Sequence, residues 1–112
     1  MDGETAETIA GVVRLLRRAG ELSWVRADRE GPRSSRQLLA LGVDLVAGEA
    51  RNMLADGVDI AGPTPAGNDE IGLLRSAEQL LDTITGVPTA ADTGPLRVRV
   101  AELVREACDA RS

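Results

Sequence analysis

The chain has 112 residues and a net charge of −5, which points to one domain and away from a phosphate-backbone partner, a task that needs clustered positive charge. With 43% apolar and 28% charged residues, the composition is that of a folded globular protein rather than a disordered one. His, Lys, Phe and Tyr are absent and Trp24 is the one aromatic residue, so the core must be aliphatic and most common catalytic devices are missing.

The first predicted element is a helix over residues 4–28. Ile9, Val12, Val13, Leu16, Ala19, Leu22 and Val25 recur at helical spacing. Glu4 and Glu7 occupy its first turn, where carboxylates favour the helix dipole. Gly20 marks a place for a kink, and Gly31-Pro32 is a stop signal. The second helix is predicted over 35–56, with Ser34 or Ser35 as N-cap and Gly57 as the residue just past its end. It carries Leu38, Leu39, Leu41, Leu45, Val46, Ala50, Met53 and Leu54. Apolar and small residues cover more than one stripe, which predicts a central helix closely approached by its neighbours.

Residues 57–68 contain Pro63, Pro65, Gly57, Gly62 and Gly67 and read as a loop. It is long for a compact bundle, so it either spans the end of the bundle or carries a function. The third helix is predicted over 69–85, capped by Asn68, with Asp69 and Glu70 in the first turn. Ile71, Leu74, Ala77, Leu81 and Ile84 form its stripe, widened by Leu73 and Leu80; Gly86 and Pro88 end it. The fourth, over 95–109, starts with Pro95 at N1 and lines its inner face with Leu96, Val100, Leu103, Val104 and Ala107. The expected fold is all-α: a small four-helix bundle, one domain over 1–112, with a long Gly/Pro loop between helices 2 and 3.

No run of 18 apolar residues is present to span a membrane, and the acidic stretch Met1 to Glu7 lacks the features of a signal peptide. The single cysteine, Cys108, cannot form an intrachain disulfide. A cytoplasmic setting is therefore expected. All 13 basic residues are Arg, and Ala, Gly and Val are abundant. A GC-rich genome imposes that bias, so a bacterial source is expected.

The absences bear on chemistry. Without His or Lys there is no Ser-His or Ser-Lys couple and no Schiff-base lysine. Zinc, di-iron and haem sites lack their usual ligands, and a P-loop lacks its lysine. No cofactor and no metal is expected, and the balance leans away from an enzyme. Seven arginines, Arg14, Arg17, Arg18, Arg26, Arg29, Arg33 and Arg36, face only Glu21, Asp28 and Glu30 within residues 14–36, a local charge of +4. Such a cluster can clamp a carboxylate or phosphate through bidentate contacts, or it is a solvated face paired with acids of the same chain. Cys108 lies between Glu106 and Asp109, a setting that suits a structural thiol better than a reactive one. Trp24, Val13, Leu16, Leu38, Leu41 and Leu45 are the candidates for an interface, since surplus apolar helix surface must be covered and Trp is enriched at hot spots.

Leu41-Gly42-Val43-Asp44-Leu45-Val46, followed by Glu49-Ala50-Arg51-Asn52, resembles the signature around the attachment serine of polyketide acyl-carrier domains, and Pro63-Thr64-Pro65-Ala66 is similar to the segment leading into their last helix. The resemblance implies a small acidic four-helix unit. Leu45 stands where that family has the serine that takes phosphopantetheine, so it implies a degenerate carrier-like domain in a biosynthetic assembly. Three functions are thus expected, in this order. The first is a non-enzymatic helical protein acting through protein–protein contact, as a homodimer or an accessory subunit. The second is an anion-binding module or Arg-clamp enzyme. The third is the carrier-like domain. Neither nucleic acid nor membrane is an expected partner.

Overall fold

The computed structural model describes residues 3–30, 35–54, 69–84 and 94–111. They form four helices: α1 (Gly3–Glu30), α2 (Ser35–Asn52), α3 (Glu70–Ile84) and α4 (Gly94–Arg111). This is the all-α four-helix bundle the apolar spacing predicts. Each helix turns one stripe inward. Ile9, Val12, Val13, Leu16 and Ala19 of α1 meet Leu39, Val43, Val46 and Ala50 of α2, Leu74, Ala77 and Leu81 of α3, and Leu96, Val100, Leu103 and Ala107 of α4. With no aromatic ring in the core cluster, these short side chains let the helices approach closely. At two places the approach would crowd a Cβ against a neighbouring side chain. A Cβ on Gly20 would lie 2.8 Å from Asp44 Oδ1, and one on Gly42 would lie 3.1 Å from Leu103 Cδ2. Gly20 is therefore a contact point between α1 and α2, inside one continuous α1, rather than a helix break.

Side-chain pairings fix the directions of the helices. Gly11 faces Leu80, while Ser23 and Arg26 both reach Glu70, so α1 and α3 run antiparallel. Gly42 faces Leu103, while Glu49 pairs with Arg99, so α2 and α4 also run antiparallel. Asp82 pairs with Arg97 across α3 and α4. That hydrogen bond, and then the charge of Asp82, raises the pKa of the Arg97 guanidinium above its ordinary value. Among the described residues α1 and α4 each pack closely on both α2 and α3, and the backbones of the two diagonal pairs stay farther apart. The bundle is thus a square in which every side joins antiparallel neighbours. The longest dimension, 43 Å, matches the roughly 42 Å length of a 28-residue helix.

This order explains the long connection between α2 and α3. The two helices are diagonal and parallel, so the end of α2 and the start of α3 are on the order of 20 Å apart along the bundle axis. α2 is also not central: it occupies one corner, with two neighbours and an open outer face.

Several local features depart from the sequence pattern. α2 ends at Asn52, before the expected residue 56. The N–H groups of Met53 and Leu54 donate to Ala50 and Arg51 carbonyls three residues back, at 3.2 and 3.0 Å, and tighten the last turn. α3 is capped by Asp69, whose Oδ1 accepts from the Ile71 N–H at 3.2 Å while its carbonyl accepts from Leu73. In α1, Val25 is exposed and Ser23 and Ala27 take the inward positions. At about 100° per residue, the stripe through Leu16 and Ala19 reaches residues 23 and 27 rather than 25. Gly31-Pro32, Ser34, the loop 57–68 with Gly57 and Asn68, Gly86 and Pro88 lie outside the described residues, as does the side chain of Ser35. No helix among the described residues is long and apolar enough to cross a membrane.

Candidate interaction surface

The outer face of α2 is the most apolar exposed feature among the described residues. Leu38, Leu41 and Leu45 are 71%, 46% and 68% exposed. Their spacing of three and four residues places them in one ridge along the helix. The next positions in the same ridge are Gly48, around which no atom of the described residues lies within 4 Å of an added Cβ, and Asn52. Leu39, Val43, Val46 and Ala50 already supply the inward stripe of this helix, so the ridge is surplus to the core of one chain.

The borders of the ridge are charged, and those charges are engaged within the chain. On the α1 side Asp44 accepts a 2.8 Å hydrogen bond from Trp24 Nε1. On the α4 side Glu49 pairs with Arg99 at 2.8 Å. The ridge itself carries no charge. Trp24 is half-buried between α1 and α2, where its ring covers the helix crossing and its N–H fixes Asp44 above Gly20. Val13 and Leu16 belong to a different place from the leucines grouped with them. Both are fully buried in the core of the single chain, because they lie on the inward stripe of α1, and they offer no surface to a partner.

On α1, Arg17 is exposed while Arg14 and Arg18 are half-buried, and Arg18 Nη1 contacts Glu21 at 3.2 Å. Arg26 turns toward α3 and donates to Glu70 Oε1 at 2.7 Å. Arg29 is exposed near the end of α1. Arg33 lies outside the described residues, as does the side chain of Arg36. Cys108 is half-buried and packs against the core.

Glu70 is a feature that sequence reasoning missed. It is 2% exposed, in the first turn of α3, where the positive end of the helix dipole favours a carboxylate. The Ser23 hydroxyl donates to its Oε2 at 2.5 Å and Arg26 donates to its Oε1. The three groups satisfy one another at the α1–α3 interface, and the anion that Arg26 binds is supplied by its own chain. Leu45, which stands in the position of the carrier-domain serine, is in the middle of α2 on the exposed ridge. Comparison of the chain with protein-family models, with curated proteins and with solved structures finds no match.

Proposed function

We propose that this protein works through protein–protein contact, associating with a second copy of itself through the outer face of α2. The observation that carries this reading is the ridge of Leu38, Leu41 and Leu45, three exposed leucines on a helix whose opposite face already fills the core. Apolar surface gathered in one patch and rimmed by polar residues marks interaction sites. Twofold pairing is the commonest way for a soluble chain to cover such a patch. A reducing cytoplasm, in a bacterial cell, is the setting that suits one cysteine and an Arg-only set of basic residues.

Magnitudes bound the strength of the pairing. Full burial of a leucine contributes about 1.5–3 kcal/mol. Six partly exposed leucines across a symmetric pair contribute on the order of 8 kcal/mol, against about 4–15 kcal/mol for lost rigid-body freedom. The charge of −5 on each chain opposes association, but at 0.1 M salt it is screened beyond about 10 Å. At the low end of that cost the surplus is about 4 kcal/mol, a weak, reversible dimer with a Kd of about 1 mM. Light scattering on a size-exclusion column tests it. The wild type, 11.8 kDa as one chain, should rise above that mass as its concentration is raised to about 1 mM, and Leu41→Glu/Leu45→Glu should remain helical and elute as one chain. A wild type with single-chain mass throughout that range overturns the proposal.

A further inference from the structure

We infer that the second copy lies antiparallel across α2, about a twofold axis level with Val43, so that Leu38 of each copy seats over Gly48 of the other. This inference rests on the reading of α2 as a self-association surface. Leu38, Leu41, Leu45 and Gly48 follow the alternating three- and four-residue spacing of a two-helix seam. The ridge is large at one end and empty at the other. Leu38 is its most exposed side chain, and nothing among the described residues lies within 4 Å of a Cβ built on Gly48.

Only one direction of pairing matches these two ends. A parallel pair sets Leu38 against Leu38 and Gly48 against Gly48, crowding one end of the seam and leaving a gap at the other. An antiparallel pair sets each Leu38 into the space above the opposing Gly48 and each Leu41 against the opposing Leu45, so that one patch complements itself under a twofold axis. The antiparallel arrangement also opposes the two helix dipoles. The rim does not forbid it: Asp44 is held by Trp24 and Glu49 by Arg99 within each chain, and the seam between them is uncharged.

Sedimentation equilibrium on the full chain tests the arrangement, using Gly48→Leu and the size swap Leu38→Ala/Gly48→Leu. Gly48→Leu fills the seat. It should weaken the dimer by roughly tenfold or more while leaving the helical melt unchanged or higher, since a mid-helix glycine is removed. The swap returns a small residue opposite the new leucine and should recover most of the lost affinity. Gly48→Leu that dimerises as tightly as the wild type, or a swap that recovers nothing, overturns the antiparallel seating. If Leu41→Glu/Leu45→Glu still dissociates the dimer in that case, the self-association reading stands without it. A wild type that is monomeric throughout overturns both, and the ridge is then covered by another protein or by this chain's own residues 55–68.

Discussion

Glu70 shows what single residues decide in this protein. A buried carboxylate is tolerated only when hydrogen bonds replace its water, and here Ser23 and Arg26 do so. Glu70→Ala strands the Ser23 hydroxyl in the core and removes the anion from Arg26. Because the Arg26 side chain is 40% exposed, it regains water, and the expected loss is about 2 kcal/mol rather than the value for a fully buried pair. Glu70→Gln keeps an acceptor and should cost less. Urea denaturation followed by circular dichroism measures both; equal stabilities for the two variants and the wild type would deny the network any structural role. The sequence marked Arg26 and Glu70 separately, one as part of a positive cluster and the other as a first-turn acid. It could not join them, because 47 residues separate Ser23 from Glu70 and helical periodicity carries no information about which turns of two helices meet. One local signal existed: Ser23 falls in phase with Leu16, Ala19 and Ala27, a polar residue on an apolar stripe that had to find a partner.

The helices themselves were legible, because a stripe such as Ile71, Leu74, Ala77, Leu81 and Ile84 has one explanation and all five residues are buried. Glycines within helices were less so, since composition cannot separate a close approach from an idle position. Gly42 and Gly48 stand on the same helix in opposite circumstances. Gly48→Ala meets open space and should stabilise the monomer by about 0.5–1 kcal/mol through helix propensity and a less flexible unfolded chain. Gly42→Ala places a methyl group against Leu103 at 3.1 Å, so the strain of moving that side chain offsets the same gain. Thermal melts of dilute protein should therefore rank Gly48→Ala above the wild type and Gly42→Ala level with it or below. The reverse order would mean that α2 and α4 do not approach as described. The exposed leucines belong to this scale too: their number on α2 was visible in the sequence, but which of them faced outward depended on α2 having neighbours on two sides only.

At the scale of the molecule, the square of antiparallel neighbours makes a prediction about chain length. From the level of Leu54 to that of Glu70 the chain must cover on the order of 20 Å along the bundle as well as the diagonal. The 14 residues 55–68 have ample reach. Deleting 57–66 leaves four, with a reach of about 17 Å. That variant should lose its cooperative single-chain melt, or exchange helices with a second chain, as read by circular dichroism and light scattering. A Gly/Ser insertion of similar size should cost under about 1 kcal/mol. A deletion variant that melts like the wild type as a single chain would overturn the helix directions. The expected loop 57–68 lies outside the described residues, and the distance it has to bridge is set by a topology that no local pattern encodes. The diagonal step also has a consequence in time. α1 and α2 form a hairpin that leaves the ribosome first, while the helices that cover it, α3 and α4, lie in residues 70–111. At about 5–20 residues per second, the inward side of that hairpin stays uncovered for several seconds of every round of synthesis. During that interval, chaperones and neighbouring nascent chains meet Leu16 and Leu39 as readily as Leu38 and Leu45.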